Sequence, residues 1–339
     1  MTYPKARLYL GTTGVGTWVT LSLVLLLDPP QPWELLLLWV LVSFPLDLLG
    51  GQILPRQFDE PVPGFLPWFR KWARAVGVQV LIFSASGALL MMASAPQALV
   101  AVQAAILVAL VALQDPIARA TGAIQKIRST SLMNMPATLY QSEDPDFSGG
   151  ISGLPGCELL ALPRGWPGRV ALVLMVRRRL LVESGSRSLG VIVAAAWNLT
   201  GFALASYGGI SNGQDLSRTA LLFTLWSFLG LLILPKLSHK GAQYADYLTL
   251  KEVSLDNFQH YLDWTEDEAE GTSTSVERTF YPIPSRESRL RALRNKAKFA
   301  PWNVARMALF LSWGCWGLLG RAVHCNTGRP ALWVYLPVD

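Results

Sequence analysis

Residues 76–113 read VGVQVLIFSASGALLMMASAPQALVAVQAAILVALVAL, two apolar runs without one Asp, Glu, Lys or Arg. The runs, Val76 to Ser94 and Ala98 to Leu113, are divided only by Ala95-Pro96-Gln97. Each approaches the ~20 residues that an α-helix needs to cross the hydrocarbon core of a bilayer. A proline-marked break of three residues predicts a tight antiparallel hairpin of two spans.

The rest of the chain alternates in the same way. Of its 339 residues, 51% are hydrophobic and 15% charged, and its mean hydropathy is +0.33. Soluble domains carry about 25% charged residues, so the wetting groups are scarce, and they are clustered. A first span is expected from Leu8 to Leu27, before the breaker Asp28-Pro29-Pro30-Gln31-Pro32, and a second from Trp33 to Leu54. The second span holds Glu34 at its edge and Asp47 deeper, near a partner helix or the opposite interface. A fifth runs from Gly190 to Tyr207 and a sixth from Ala220 to Leu237. The last apolar stretch, Val304 to Leu319, is long enough to cross but contains Arg306 and several tryptophans, which leaves a span and an interfacial helix both open.

This patterning predicts a mainly α-helical, polytopic membrane protein. Six to seven transmembrane helices form its bundle, and a cytoplasmic α(+β) lobe is built from two polar insertions. The expected divisions are residues 1–114 for the first four spans, 115–189 for the first insertion, 190–237 for a transmembrane hairpin, 238–303 for the second insertion and 304–339 for the tail. Within the first division, residues 66–75 mix aromatics with cations. Trp68, Phe69 and Trp72 suit the acyl boundary, and Arg70, Lys71 and Arg74 suit lipid phosphates. Lys5 and Arg7 precede the first span, and basic residues follow spans two, four and six, whereas the alternate loops hold only Arg218. The positive-inside rule then places the N-terminus and both insertions in the cytoplasm. No small-residue cleavage site follows the first apolar segment, so it reads as a retained span. The clean charge bias suits a bacterial inner membrane.

The net charge of +6 belongs to span flanks, so no nucleic-acid partner is expected. Cys157, Cys315 and Cys325 are too few for a disulfide framework, and Cys315 reads as a buried thiol. Asn198-Leu199-Thr200 matches a glycosylation sequon but lies within a span. Gly149 to Gly156 is glycine-rich without the lysine of a phosphate cradle, and reads as a tight turn or hairpin. Residues 247–270 read as a helix with Leu248, Leu255, Phe258 and Leu262 on one stripe, and Glu266 to Ser275 as a loop. No G-x-S-x-G, dinucleotide or H-E-x-x-H pattern is present.

Two segments nevertheless form a pattern. Ser238-His239-Lys240-Gly241-Ala242-Gln243-Tyr244-Ala245-Asp246 resembles the S-R-x-x-E-Y-x-A-D segment of the HtpX-type and CAAX-prenyl-endopeptidase-type integral membrane zinc metallopeptidases. Phe280 to Leu290, with Pro282-Ile283-Pro284 and Arg289, resembles that family's T-H-P-P-x-x-x-R-I segment. The likeness covers roughly residues 140 to 295 and includes the order of spans, lobe, hairpin and motifs. It implies a cytoplasmic lobe whose metal helix lies just before the hairpin, where this chain reads Met175 to Arg187.

There the chain departs from the family. Arg177, Arg178 and Glu183 stand where the two histidines and the general base belong, and Ala242 replaces the third ligand's glutamate. Asp246 matches the family's supporting aspartate. The resemblance therefore implies a degenerate member, with Arg177, Arg178, Glu183, Ala242 and Asp246 as a relic site, no metal and no cofactor. The residues alone give Arg177 and Arg179 a simpler reading, a lipid-facing or solvated basic collar, although pairing with Asp246 and Glu252 is open to them. Expected partners are membrane lipid and other integral membrane proteins, with the chain as a scaffold, accessory or regulatory subunit. An active protease using Glu183, Asp246 and His239 is the alternative, and a transporter a weaker one.

Overall fold

A computed structural model describes residues 2–335 apart from 94, 133–134, 143–146, 266–268, 270 and 294–296. The chain begins with α1 (Tyr3–Leu25) and α2 (Pro32–Leu48). A π-helical turn (Leu49–Ile53) then leads into α3 (Leu54–Gln57). The backbone N–H of Gln31 donates to the Glu34 carboxylate at 2.8 Å, so Glu34 caps the start of α2. Next come α4 (Phe65–Met91) and α5 (Pro96–Ala112), the latter bent by 68° into α6 (Gln114–Ala120). Strands β1 (Gln125–Leu132), β2 (Met135–Gln141), β3 (Gly150–Ser152) and β4 (Leu159–Pro163) precede α7 (Gly168–Glu183). The hairpin is α8 (Ser186–Ala205) and α9 (Gly213–Ile233). Then follow α10 (Pro235–Thr249), α11 (Leu255–Trp264), α12 (Thr274–Phe280), α13 (Arg286–Ala292) and α14 (Val304–Leu311).

Among the described residues five helices are long and apolar enough to cross a membrane: α1, α2 with its continuation to Gln57, α4, α8 and α9. The bent pair α5–α6 makes a sixth if it counts as one span. The remainder is a small mixed sheet and short helices. These elements form two compact units, Met1–Gly122 with Ala195–Gly230 and Ala308–Val334, and Ala123–Ala194 with Leu231–Met307 and Tyr335–Asp339. The first unit runs past the expected boundary at 114 because α6 stays with it. Gln114 donates to the Val334 carbonyl at 3.0 Å, and Arg74 to the Ala120 carbonyl at 2.8 Å.

The first unit is built around the end of its own chain. Val304 to Leu319 forms neither a simple span nor an interfacial helix. It is α14, then a 3-10 turn (Ser312–Cys315), a left-handed Trp316 at φ +60°, and a second 3-10 turn (Leu318–Arg321). From Ala308 to Leu311 and on through Leu332 to Val334 the side chains are almost all buried. Irregular backbone away from water must find its hydrogen bonds inside the protein. Lone polar residues of the apolar helices supply them. Asn198 donates to the Ala308 carbonyl (3.1 Å), Trp39 to Leu318 (3.2 Å), Arg7 to His324 (2.8 Å) and Gln79 to Pro330 (2.9 Å). Gln103 meets the buried Cys315 thiol at 3.0 Å. Trp313 and Trp333 stack with centroids 3.8 Å apart. Gly11 of α1 is required by this packing, because a Cβ there would meet the His324 backbone at 2.5 Å.

The interfacial segment expected at 66–75, ahead of the span from Val76, is not a helix of its own. Those residues are the opening turns of α4, one continuous 27-residue helix. Trp68 and Trp72 are buried rather than set in an acyl boundary. Phe69, Arg70 and Arg74 are exposed and Lys71 is half-buried.

The second unit combines a four-stranded sheet with α7 and the helices of the second insertion. Strand order is β1-β2-β4-β3, antiparallel except for the parallel pair β2–β4. The glycine-rich stretch is the hairpin joining β3 to β4, with Gly153 at φ +93° making the turn a side chain would resist. Val170, Val173, Leu174 and Val176 of α7 pack on Phe258, Tyr261 and Leu262 of α11. The helix expected over 247–270 is two helices: α10 ends at Thr249, and Ser254 caps α11 by accepting from the Asn257 N–H at 3.3 Å. Leu255 is therefore exposed, while Phe258 and Leu262 are core. The acidic run Glu266–Glu270 lies outside the described residues, save Ala269. Its expected loop stops short of Ser275, which is already in α12.

Candidate functional site

α7 meets α10 and α13 around Asp246, which is wholly buried. The Asp246 carboxylate accepts from Arg289 Nε at 2.8 Å and Nη2 at 2.7 Å, a bidentate pair, and from Arg177 Nε at 3.3 Å. Arg177 is 1% and Arg289 3% exposed. The Arg289 guanidinium also lies 5.9 Å from the ring centroids of Phe258 and Tyr261. Burial alone would raise the Asp246 carboxyl, but the Arg289 and Arg177 guanidiniums outweigh it and hold the group below its ordinary pKa. Arg289 is correspondingly raised, against the opposing effect of its own burial.

The arginine run of α7 is thus divided among three tasks. Arg177 serves Asp246. Arg178 turns to the sheet side and donates to the carbonyls of Ala161 (2.7 Å) and Ser148 (2.8 Å), tying α7 to β4 and to the approach of β3. Arg179 pairs with Glu252 and lies 3.5 Å from Glu183. The basic collar read from the sequence is corrected for Arg177, which is buried on protein carboxylate, and Arg179 is matched by acidic neighbours. Lipid-facing positions need exposure and free charge, and α7 turns these residues inward. Arg187 follows the same rule, donating to the Gly153 carbonyl at 2.6 Å beside Glu158.

Of the relic-site residues, Arg177 and Asp246 are in contact, and Ala242 lies one turn before Asp246 on the buried face of α10. Glu183 is at the far end of α7, about 9 Å along the axis from Arg177, and its side chain is 54% exposed. No bond joins Glu183, His239 and Asp246 to one another. Arg289 is the site residue whose role the sequence left unassigned. Its signal was present in the Pro282-x-Pro284 segment, which sets the start of α13.

His239, also on α10, lies with Nε2 2.7 Å from the Tyr281 carbonyl oxygen and so holds the link before Pro282. Burial lowers its pKa, against the Tyr281 hydrogen bond and the charge of Glu277. A folded pKa below the unfolded one means that the stability tied to neutral His239 is complete above about pH 6.5. It is lost as pH falls from there through the folded value. Thermal unfolding midpoints should therefore drop over that acid window, and His239→Gln should flatten that part of the profile. An unchanged profile in the variant would contradict this role.

Among the described residues no group of three or more His, Cys, Asp or Glu side chains is placed to hold a metal ion. Comparison with protein-family models, curated proteins and solved structures gives no match.

Proposed function

We propose that this chain is a non-catalytic polytopic membrane protein, a degenerate relative of the HtpX-type and CAAX-prenyl-endopeptidase-type metallopeptidases. It acts as a scaffold, accessory or regulatory subunit that binds other integral membrane proteins. The observation that carries the reading is the Arg177–Asp246–Arg289 cluster. Where the two resembling segments and the arginine-bearing helix come together, guanidiniums clamp the aspartate and tie α7, α10 and α13 into one structural joint. Such a cluster offers no neutral imidazole to hold a zinc ion, and its one carboxylate is already bound by two guanidiniums.

Five membrane-length helices support insertion in a bilayer. The charge asymmetry of the loops supports a bacterial inner membrane with the N-terminus and the sheet-bearing unit in the cytoplasm. The test is the native mass of the chain after mild solubilisation from its own membrane. The proposal expects a stable complex with other integral membrane proteins, well above the 37.2 kDa of one chain. A solitary chain in the mildest detergents, with peptidase activity of its own, would overturn it.

A further inference from the structure

The buried face of α10 carries the Asp246 joint, and its opposite face is assigned nothing so far. Lys236, Lys240, Tyr244, Tyr247 and Lys251 follow one another at steps of four, four, three and four residues, which keeps all five on one helical stripe. The stripe continues through the last turn of α10 into the residues just beyond Thr249. Lys236, Lys240 and Lys251 are exposed, and the two tyrosines are half-buried. Phe299, 54% exposed, packs edge-on against Tyr244 at 5.6 Å and brings the exposed Lys298 beside the stripe.

None of these four lysines has a carboxylate partner among the described residues. Lys251 instead rests over the Tyr247 ring at 4.5 Å. In the same unit Arg179 pairs with Glu252, Arg286 with Asp263 and Arg291 with Glu287, whereas Lys126, Arg128, Arg164, Arg169 and Arg278 are exposed on other elements. Lys236, Lys240 and Lys251 are nonetheless gathered on one stripe, with Lys298 beside it. That face begins three residues after Ile233, where the membrane-length helix α9 ends.

We infer that this outer face of α10 binds the headgroups of anionic phospholipids in the leaflet where α9 emerges. Lysine ammoniums would meet the phosphates, and Tyr244, Tyr247 and Phe299 would settle at the headgroup–acyl boundary. Clustered cations directly beside a span gain from a negative leaflet, and amphipathic rings favour that depth. The inference rests on the proposal that α9 crosses a bilayer, but not on the partners or the lost catalysis proposed above.

The test is amine-reactive labelling of the full-length protein in nanodiscs, read lysine by lysine by mass spectrometry. One set of discs contains phosphatidylglycerol in phosphatidylcholine, and the other phosphatidylcholine alone. Lys236 and Lys240 are expected to react about fivefold more slowly in the anionic discs, and the difference should vanish in high salt. Lys126, exposed on β1, serves as the control and should react equally in both. Protein carrying Lys236→Gln and Lys240→Gln should retain less phosphatidylglycerol after detergent extraction. Equal labelling of Lys236 and Lys240 in the two discs would overturn the inference. Protection by an added acidic peptide, but not by phosphatidylglycerol, would overturn it in favour of a protein partner. Extraction of the chain from membranes by alkaline carbonate would instead remove the membrane reading itself, so the two failures are distinguishable.

Discussion

Asp47→Ala is expected to destabilise the first unit by about 3–5 kcal/mol, the cost of stranding one member of a buried ion pair. Asp47 is 1% exposed and accepts from three directions: Trp72 Nε1 at 2.9 Å, the Gly328 N–H at 2.8 Å, and the Arg321 guanidinium. Arg321 is itself 1% exposed and held between the rings of Trp39 (4.9 Å) and Trp72 (5.6 Å). Deleting the carboxylate leaves that cation facing aromatic rings with no anion. The joint between α2, α4 and the chain's last segment should loosen, visible as a lower unfolding temperature and loss of monodispersity in detergent. Replacing the pair together, as Asp47→Leu with Arg321→Met, should recover part of the loss. The recovery is incomplete because the Trp72 and Gly328 N–H groups still lack their acceptor, at about 1–3 kcal/mol each. A single variant as stable as the parent would contradict this account of the unit's core.

The second large effect is expected at Asp246→Ala. Here two guanidiniums, Arg177 and Arg289, lose their one shared carboxylate while buried. The expected loss is again about 3–5 kcal/mol, now in the second unit. Asp246→Asn keeps the shape and part of the hydrogen bonding and should fall between. The pH dependence has a definite sign. The folded carboxyl sits below its unfolded pKa, so its contribution is complete above about pH 4. It is lost only as pH falls through the folded value. Acid titration of unfolding should show this component in the parent and lack it in Asp246→Ala. An identical acid limb in both would contradict the role assigned to the joint.

Much of the helical layout was legible because apolar length and proline breaks act locally. The hairpin at 76–113 and the glycine hairpin before β4 both follow from residues close in sequence. Local signals failed where a distant segment supplied the partner. Residues 66–75 look interfacial because Trp68 and Trp72 alternate with cations. Asp47 and Gly328 instead draw those tryptophans inward as hydrogen-bond donors. The burial of 308–334 left only an indirect trace, the isolated Gln79, Gln103 and Asn198 in otherwise apolar helices, each expensive unless it serves another backbone or side chain. Arg177 to Arg179 fit lipid phosphates equally well until the fold supplied Asp246 and Glu252. Even then the two segments singled out by resemblance do come together, Asp246 against Arg289 with Arg177 of α7 beside them, which a linear reading allows but does not require.

The central claim is that charge pairing, and not a metal, organises the joint between α7 and α10. Zinc content of the full-length protein, purified from its membrane without chelators, tests it most directly. The account predicts zinc far below one atom per chain, and unfolding that strong chelators leave unchanged. One tightly held zinc per chain, lost together with fold or activity on chelation, would contradict it.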